Sequence, residues 1–263
     1  TLAAAEARLF AHHAFLRTLR ETNGGDAGTA DGVRIELLAN VELAAEARVA
    51  EGHGAEGIGL FRTEFLYIDR STPPTEDEQF AIYRETILAM NGKPVVLRTF
   101  DIGGDKFASS FEVPPELNPA LGLRAVRLAL SRPEVLLVQL RAMARASAFG
   151  DLRILVPMVS QVAEMKKVRE LLAQAVAEIR ARGEATADTI PLGMMIEVPS
   201  AAILADVFAR HADFFSLGTN DLVQYLLAVD RTNTELAPLA SPYDPAALRL
   251  IANVAREAEA AGI

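Results

Sequence analysis

Apolar positions along this chain fall into two alternating patterns. Short, almost continuous apolar runs occur at Val33–Val41, Gly57–Phe61, Val95–Phe100, Arg153–Met158, Leu192–Val198 and Phe214–Leu217. Between and after them, apolar residues recur every three to four positions in Glu42–Glu51, Glu76–Met90, Gly122–Ala146, Val162–Arg182, Ala201–His211 and Leu222–Val229. The first set has the length and composition of buried strands, the second the period of helices packed on one face. Strand and helix alternate without hairpin signals, which predicts a parallel sheet with crossover helices. An open doubly wound sheet and a closed (β/α)8 barrel both satisfy the pattern, and both place chemistry at the carboxyl ends of the strands.

Ahead of the first strand, residues 2–21 read as an amphipathic helix with Leu2, Ala5, Leu9, Ala14, Phe15 and Leu19 near one face. The stretch Asn23-Gly24-Gly25-Asp26-Ala27-Gly28 ends it. Residues 1–32 are therefore expected to form a linker helix and loop, and residues 33–263 a single α/β domain.

The strand runs end in polar company. One runs into Phe61-Arg62-Thr63-Glu64, another into Arg98-Thr99-Phe100-Asp101-Ile102-Gly103-Gly104-Asp105-Lys106. Two more run into Glu197-Val198-Pro199 and Gly218-Thr219-Asn220-Asp221. Taken singly, a strand-end Arg is most simply a surface ion pair, and Gly103-Gly104-Asp105 a turn. Arg, Arg, Glu and Asn-Asp at four strand ends are a different matter, because a parallel sheet brings all four to one rim. Glu197 and Asp221 offer hard carboxylate oxygens of the kind that hold Mg²⁺ together with waters and substrate oxygens. Arg62, Arg98, Lys106 and Arg231 offer cations, and the arginine fork matches a phosphate or carboxylate bidentately.

Composition narrows the chemistry. The 263 residues contain no Cys, which excludes disulfides, thiolate metal sites and a cysteine nucleophile within them. The four histidines lie in or beside helical patterns and none ends a strand, so structural or surface roles are expected for them. A net charge of −9 argues against nucleic acid or an anionic membrane as partner. No segment reads as a membrane span or a secretory signal. An anionic ligand then needs a local reversal of sign. Opposite charges about 4 Å apart gain about 4 kcal/mol at an effective dielectric of 20, so three arginines are expected to supply it. No GxGxxG or GxxxxGK[ST] loop occurs.

The segments Gly54–Leu66, Leu97–Lys106, Met195–Ser200, Phe214–Tyr225 and Ala228–Asn233 together resemble the PEP (phosphoenolpyruvate)-utilising enzymes. Among these they closely resemble the enzyme I group of the bacterial phosphoenolpyruvate:sugar phosphotransferase system, in its C-terminal PEP-binding domain, from about Arg34 to the end. Thr232 and Val223 depart from the common Gly and Thr of that pattern, at positions that carry no chemistry. The resemblance implies a (β/α)8 TIM-type barrel that dimerises. It implies PEP contacts for Arg62, Arg98, Asn220, Asp221 and Arg231, and less securely matched ones for Lys106 and for Arg124, which closes Asn118-Pro119-Ala120-Leu121-Gly122-Leu123-Arg124. It implies Glu197 and Asp221 as Mg²⁺ ligands.

The implied activity is transfer of the PEP phosphoryl group to a histidine on a separate N-terminal domain, for passage to a phosphocarrier protein in cytoplasmic sugar uptake. Enolpyruvate is then protonated to pyruvate by a cysteine in a Gly-x-Cys-Gly-Glu stretch on the seventh strand. Neither that cysteine nor a matching histidine motif occurs in this sequence. Six strand runs against a barrel's eight, and a first residue that is Thr1, lead to the expectation of a barrel lacking its last two strands and inactive by itself. Other readings stay open: a fused multiphosphoryl transfer protein, a PEP synthase or pyruvate phosphate dikinase barrel, a non-catalytic PEP sensor, or a Mg²⁺-dependent aldolase or lyase working through an enolate.

Overall fold

The computed structural model describes residues 6, 8–12, 14–15, 17–18, 27–68, 70–103 and 116–263. Its centre is one sheet of six parallel strands: β1 (Leu38–Val41), β2 (Gly57–Arg62), β3 (Val95–Arg98), β4 (Leu152–Val156), β5 (Leu192–Ile196) and β6 (Phe215–Leu217). They lie side by side in chain order. Sequential order excludes the doubly wound alternative, whose strand order reverses at a switch point. The sheet curls into a half-barrel with helices on its outside.

All six expected strands form, with ends that differ from the apolar runs for identifiable reasons. Residues 33–37 stay outside the sheet because their backbone pairs elsewhere: the Val33 carbonyl accepts the Thr29 N–H and the Ile35 N–H donates to the Ala27 carbonyl, while β2 begins only at Gly57, opposite Leu38. The expected helix over 122–146 divides into Ala125–Ser131 and Pro133–Ala146. Pro133 cannot donate a helical hydrogen bond and pushes the residue before it out of the helical region; Arg132 sits at φ −133°, ψ 65°. The segment expected as a helix over 201–211 likewise forms two short pieces, Pro199–Ile203 and Ala205–Phe208, with Pro199 at the first helical position. The helix Glu76–Ala89 is capped by Thr75, whose side chain and that of Glu78 satisfy each other's backbone N–H groups.

Strand alternation sorts the interior into two layers. Val95, Leu97, Ile154, Val156, Leu192, Met194 and Ile196 point outward and pack under the helices in one large core. Val96, Leu155 and Met195 point inward with Leu60 and Phe214 and form a smaller cluster inside the half-barrel. Arg98 and Glu197 continue that inward phase one step beyond Val96 and Met195, so the polar site stands on an apolar floor. Gly193 makes the floor possible: a Cβ there would lie 2.5 Å from the Phe214 ring.

The described residues from Glu6 to Thr18 are helical, as the amphipathic pattern expects, with Leu9, Phe10 and Phe15 more than half exposed. Among the described residues no helix is long and apolar enough to cross a membrane.

Candidate active site

Register delivers the strand ends to one level. Arg62 is the cross-strand partner of Arg98, Arg98 of Leu155, and Ile196 of Leu217. The residues that follow these positions therefore share one rim.

The arginines are held by buried acids. After β2 the chain enters a tight turn, Thr63–Tyr67, whose Glu64 is 3% exposed. One Glu64 oxygen accepts from Arg98 Nη2 at 2.5 Å and from Arg62 Nε at 3.2 Å. Arg62 also pairs with Glu42 at 2.5 Å and lies over the Phe65 ring. Asp101 stands between Arg98, at 3.5 Å, and Arg124, which grips it with Nε and Nη2 at 3.2 and 2.8 Å. Arg124 reaches on to Tyr225 Oη at 3.3 Å and Asp221 at 3.7 Å, and Arg231 approaches the other Asp221 oxygen at 3.8 Å. Burial works against the charge on Arg98, but Glu64, Asp101 and Glu197 outweigh it, so its pKa moves up. Arg98 Nε has no hydrogen-bond partner among the described residues.

The carboxylates facing them are also buried. Glu197 is 1% exposed and accepts the Met158 N–H at 2.6 Å. Met158 presents that N–H from a left-handed turn, φ 58°, just beyond β4. Burial, then the charges of Asp101 and Asp221, push the Glu197 pKa up to about 8 against the opposing pull of Arg98 and the Met158 N–H. Asp221, in the first turn of the helix Thr219–Leu227, has a buried oxygen, Oδ1, without a hydrogen-bond partner among the described residues. Gly218 clears the space beside Glu197, since a Cβ there would meet Glu197 Cβ and Oε2 at 2.7 Å.

The strand-end pattern thus brings Arg62, Arg98, Arg124, Arg231, Glu197 and Asp221 together. Asn220 sits on the same rim, exposed and without a side-chain hydrogen bond among the described residues. Lys106 lies outside the described residues. What the sequence reading missed is Glu64 and Asp101 as the arginines' partners, Glu42 behind Arg62, and Tyr225 behind Arg124. Their presence corrects the expected sign reversal: among the described residues of this rim four guanidiniums face five carboxyl groups, so the arginines alone do not make the site positive.

A metal fits part of this set. Among the described residues no cluster of three or more His, Cys, Asp or Glu is arranged to hold an ion, which rules out a wholly protein-built cage there. Two buried carboxylates, one with an oxygen that lacks a hydrogen bond among the described residues and one whose pKa is raised by burial and by its neighbours' charge, suit a hard cation whose remaining positions go to water and ligand oxygens.

Fold and rim define an α/β domain of the kind that works at the carboxyl ends of parallel strands, with paired acids and a ring of arginines there. Residues 17–263 match the PEP-binding domain of PEP-utilising enzymes, and the chain belongs to that family. It is 50% identical over 226 residues to the phosphoenolpyruvate-protein phosphotransferase of Geobacillus stearothermophilus, covering 86% of this chain and 39% of that protein. It is 48% identical over 244 residues to the protein of the same name from Staphylococcus carnosus (strain TM300), covering 93% and 43%. The chain therefore spans about two-fifths of the length of these curated relatives. Among solved structures it is similar to the citrate synthase SbnG, with a TM-score of 0.50 and 15% identity over 86% of this chain and 73% of that one. That likeness is one of fold alone.

Proposed function

We propose that this domain binds PEP with Mg²⁺ and positions its phosphoryl group for transfer to a histidine on a separate domain of a phosphoenolpyruvate-protein phosphotransferase. The convergence of Arg98, Arg124 and Arg231 on the rim that holds Glu197 and Asp221 carries this reading. The relatives' names support a protein acceptor over the nucleotide-dependent sister enzymes.

In this reading Arg62 and Arg98, neighbours in register, bind the phosphoryl oxygens; Arg231, Asn220 and less centrally Arg124 and Lys106 complete the contacts to PEP. Glu197 and Asp221 hold the metal, which when bound supplies charge stabilisation for the phosphoryl oxygens. The acids behind the arginines fix where each guanidinium points before ligand arrives, so little reorganisation remains for the transfer step. The apolar floor of Val96, Leu155 and Met195 keeps water from beneath the bound anion.

The domain is read as residues 33–263 of a TIM-type (β/α)8 barrel, with residues 1–32 as linker. The whole protein is read as a cytoplasmic homodimer passing phosphate to a phosphocarrier protein. Calorimetry with PEP in Mg²⁺ tests the site: binding is expected, with a loss of at least tenfold for Arg98→Ala and for Glu197→Ala. Unchanged affinity in both variants would overturn the assignment.

A further inference from the structure

Behind the two neighbouring arginines runs a chain of buried side chains whose hydrogen bonds meet the ligand-binding residues only at the Arg98 backbone carbonyl. Gln139, on the outer helix Pro133–Ala146, is fully buried, as are Thr63 and Tyr83. The chain has one direction. The Phe100 N–H can only donate, so Gln139 Oε1 accepts it, at 3.0 Å. Gln139 Nε2 must then donate, and it does so to Thr63 Oγ1 at 3.0 Å and Tyr83 Oη at 3.1 Å. Those hydroxyls pass the donation on: Thr63 to the Arg98 carbonyl at 2.7 Å, Tyr83 to Gln79 Oε1 at 2.9 Å, and Gln79 to the Pro74 carbonyl at 3.0 Å.

Thr63 directly follows Arg62, and Phe100 lies two residues beyond Arg98. One amide therefore ties together the strand ends that carry both arginines, from outside the sheet. Simple adhesion of helix to sheet needs no such tie: the same helix already buries Leu136, Leu140 and Met143 in the core. A polar chain whose bonds run one way holds its members to a single geometry, and an apolar contact in its place tolerates sliding.

We infer that Gln139 is a positioning residue for the phosphoryl-binding arginines, acting through Thr63 and Phe100 to fix the spacing of Arg62 and Arg98. This rests on the reading of the rim as a PEP site. Its distinguishing consequence is spatial. The tie reaches β2 and β3 and leaves the carboxylates after β5 and β6 alone, so it sets affinity for the anion and not for the metal.

The experiment compares Gln139→Met, Thr63→Val and Thr63→Ser, measuring PEP affinity by calorimetry in Mg²⁺ and Mn²⁺ affinity without PEP by paramagnetic resonance. Gln139→Met and Thr63→Val are each expected to weaken PEP binding about tenfold, with the double variant no worse than about the larger single loss. Mn²⁺ affinity should stay within about twofold of the parent, and Thr63→Ser, which keeps the hydroxyl, should retain PEP binding. PEP affinity within about twofold of the parent in both disruptive variants overturns the inference, as does a parallel loss of Mn²⁺ affinity. Should Gln139→Met fail to fold, the pair Thr63→Val and Thr63→Ser decides by the same readouts. A parent chain that binds Mn²⁺ but no PEP would instead defeat the reading of the site.

Discussion

Glu64 accepts a hydrogen bond from Arg98 at 2.5 Å with both side chains less than a tenth exposed. A pair so placed is better understood as a device for orientation than as a source of stability, because desolvating the two charges consumes most of their attraction. Removing one partner is another matter. Glu64→Ala should cost about 3 kcal/mol or more in urea unfolding, since it leaves the buried Arg98 with Asp101 as its remaining close acid. Replacing the whole pair, Glu64→Leu with Arg98→Met, should recover much of that loss while abolishing PEP binding. A cost below about 1 kcal/mol for Glu64→Ala would show that the pair is solvated in solution.

The balance of charge on the rim makes anion and metal binding interdependent. Among the described residues four guanidiniums already face five carboxyl groups, so this part of the rim offers PEP no surplus of positive charge when no cation is bound. PEP affinity in EDTA should fall at least about tenfold below that in Mg²⁺. By linkage, saturating PEP should tighten Mn²⁺ binding by the same factor. PEP binding that ignores EDTA would mean that the arginines leave their acids to meet the ligand.

Glu197 gives the ligand-free domain a pH dependence of definite sign. Its pKa is raised from 4.5 to about 8 in the fold. Below pH 4.5 the carboxyl is protonated whether the chain is folded or not, and it contributes nothing. From there to pH 8 the unfolded chain releases the proton while the folded one keeps it, so stability falls as pH rises, by at most about 1.4 kcal/mol per pH unit. Glu197→Gln removes that slope. In EDTA the variant should be more stable than the parent by about 2–4 kcal/mol at pH 8, with the gain shrinking toward zero near pH 4.5. A constant difference across that range would place the Glu197 pKa near its ordinary value.

These relationships mark the boundary of what the chain discloses before it is folded. The six strands and their shared rim were legible because buried parallel strands are continuous apolar runs, and a polar residue at the end of one stands out. Arg62, Arg98, Glu197 and Asp221 were found that way. Glu64 and Asp101 occupy the same stretches, yet nothing local says that each will turn inward between two arginines; register between β2 and β3 decides it. Met158 is apolar and reads as strand, so the N–H it presents to Glu197 from a left-handed turn had no signal at all. The break at Arg132 did have one, in Pro133, and the helical period on both sides of it hid the interruption.

Gly218 tests how closely the floor and the Glu197 carboxylate are fitted. Its φ is negative, −85° with ψ 71°, close to the inverse γ-turn conformation that residues with a side chain also adopt, so the cost of a side chain there is steric. An added Cβ would stand 2.7 Å from Glu197 Cβ and 2.9 Å from Met195 Sδ. Glu197 Cβ is fixed to the backbone just beyond β5, and its carboxylate is pinned by the Met158 N–H, so neither can withdraw without moving its strand end. Gly218→Ala should therefore destabilise the domain by about 1–3 kcal/mol and weaken Mn²⁺ binding at least about tenfold, because the displaced group is a carboxylate proposed to hold the metal. Gly52→Ala, at the end of the helix Ala44–Gly52 with nothing within 4 Å of the added carbon, supplies the contrast. There the methyl group should stabilise slightly, by about 0.5–1 kcal/mol, and leave Mn²⁺ binding as it was. Equal behaviour of the two alanine variants would mean that β6 shifts freely against β5, and that the Glu197 carboxylate is not held where the fold places it.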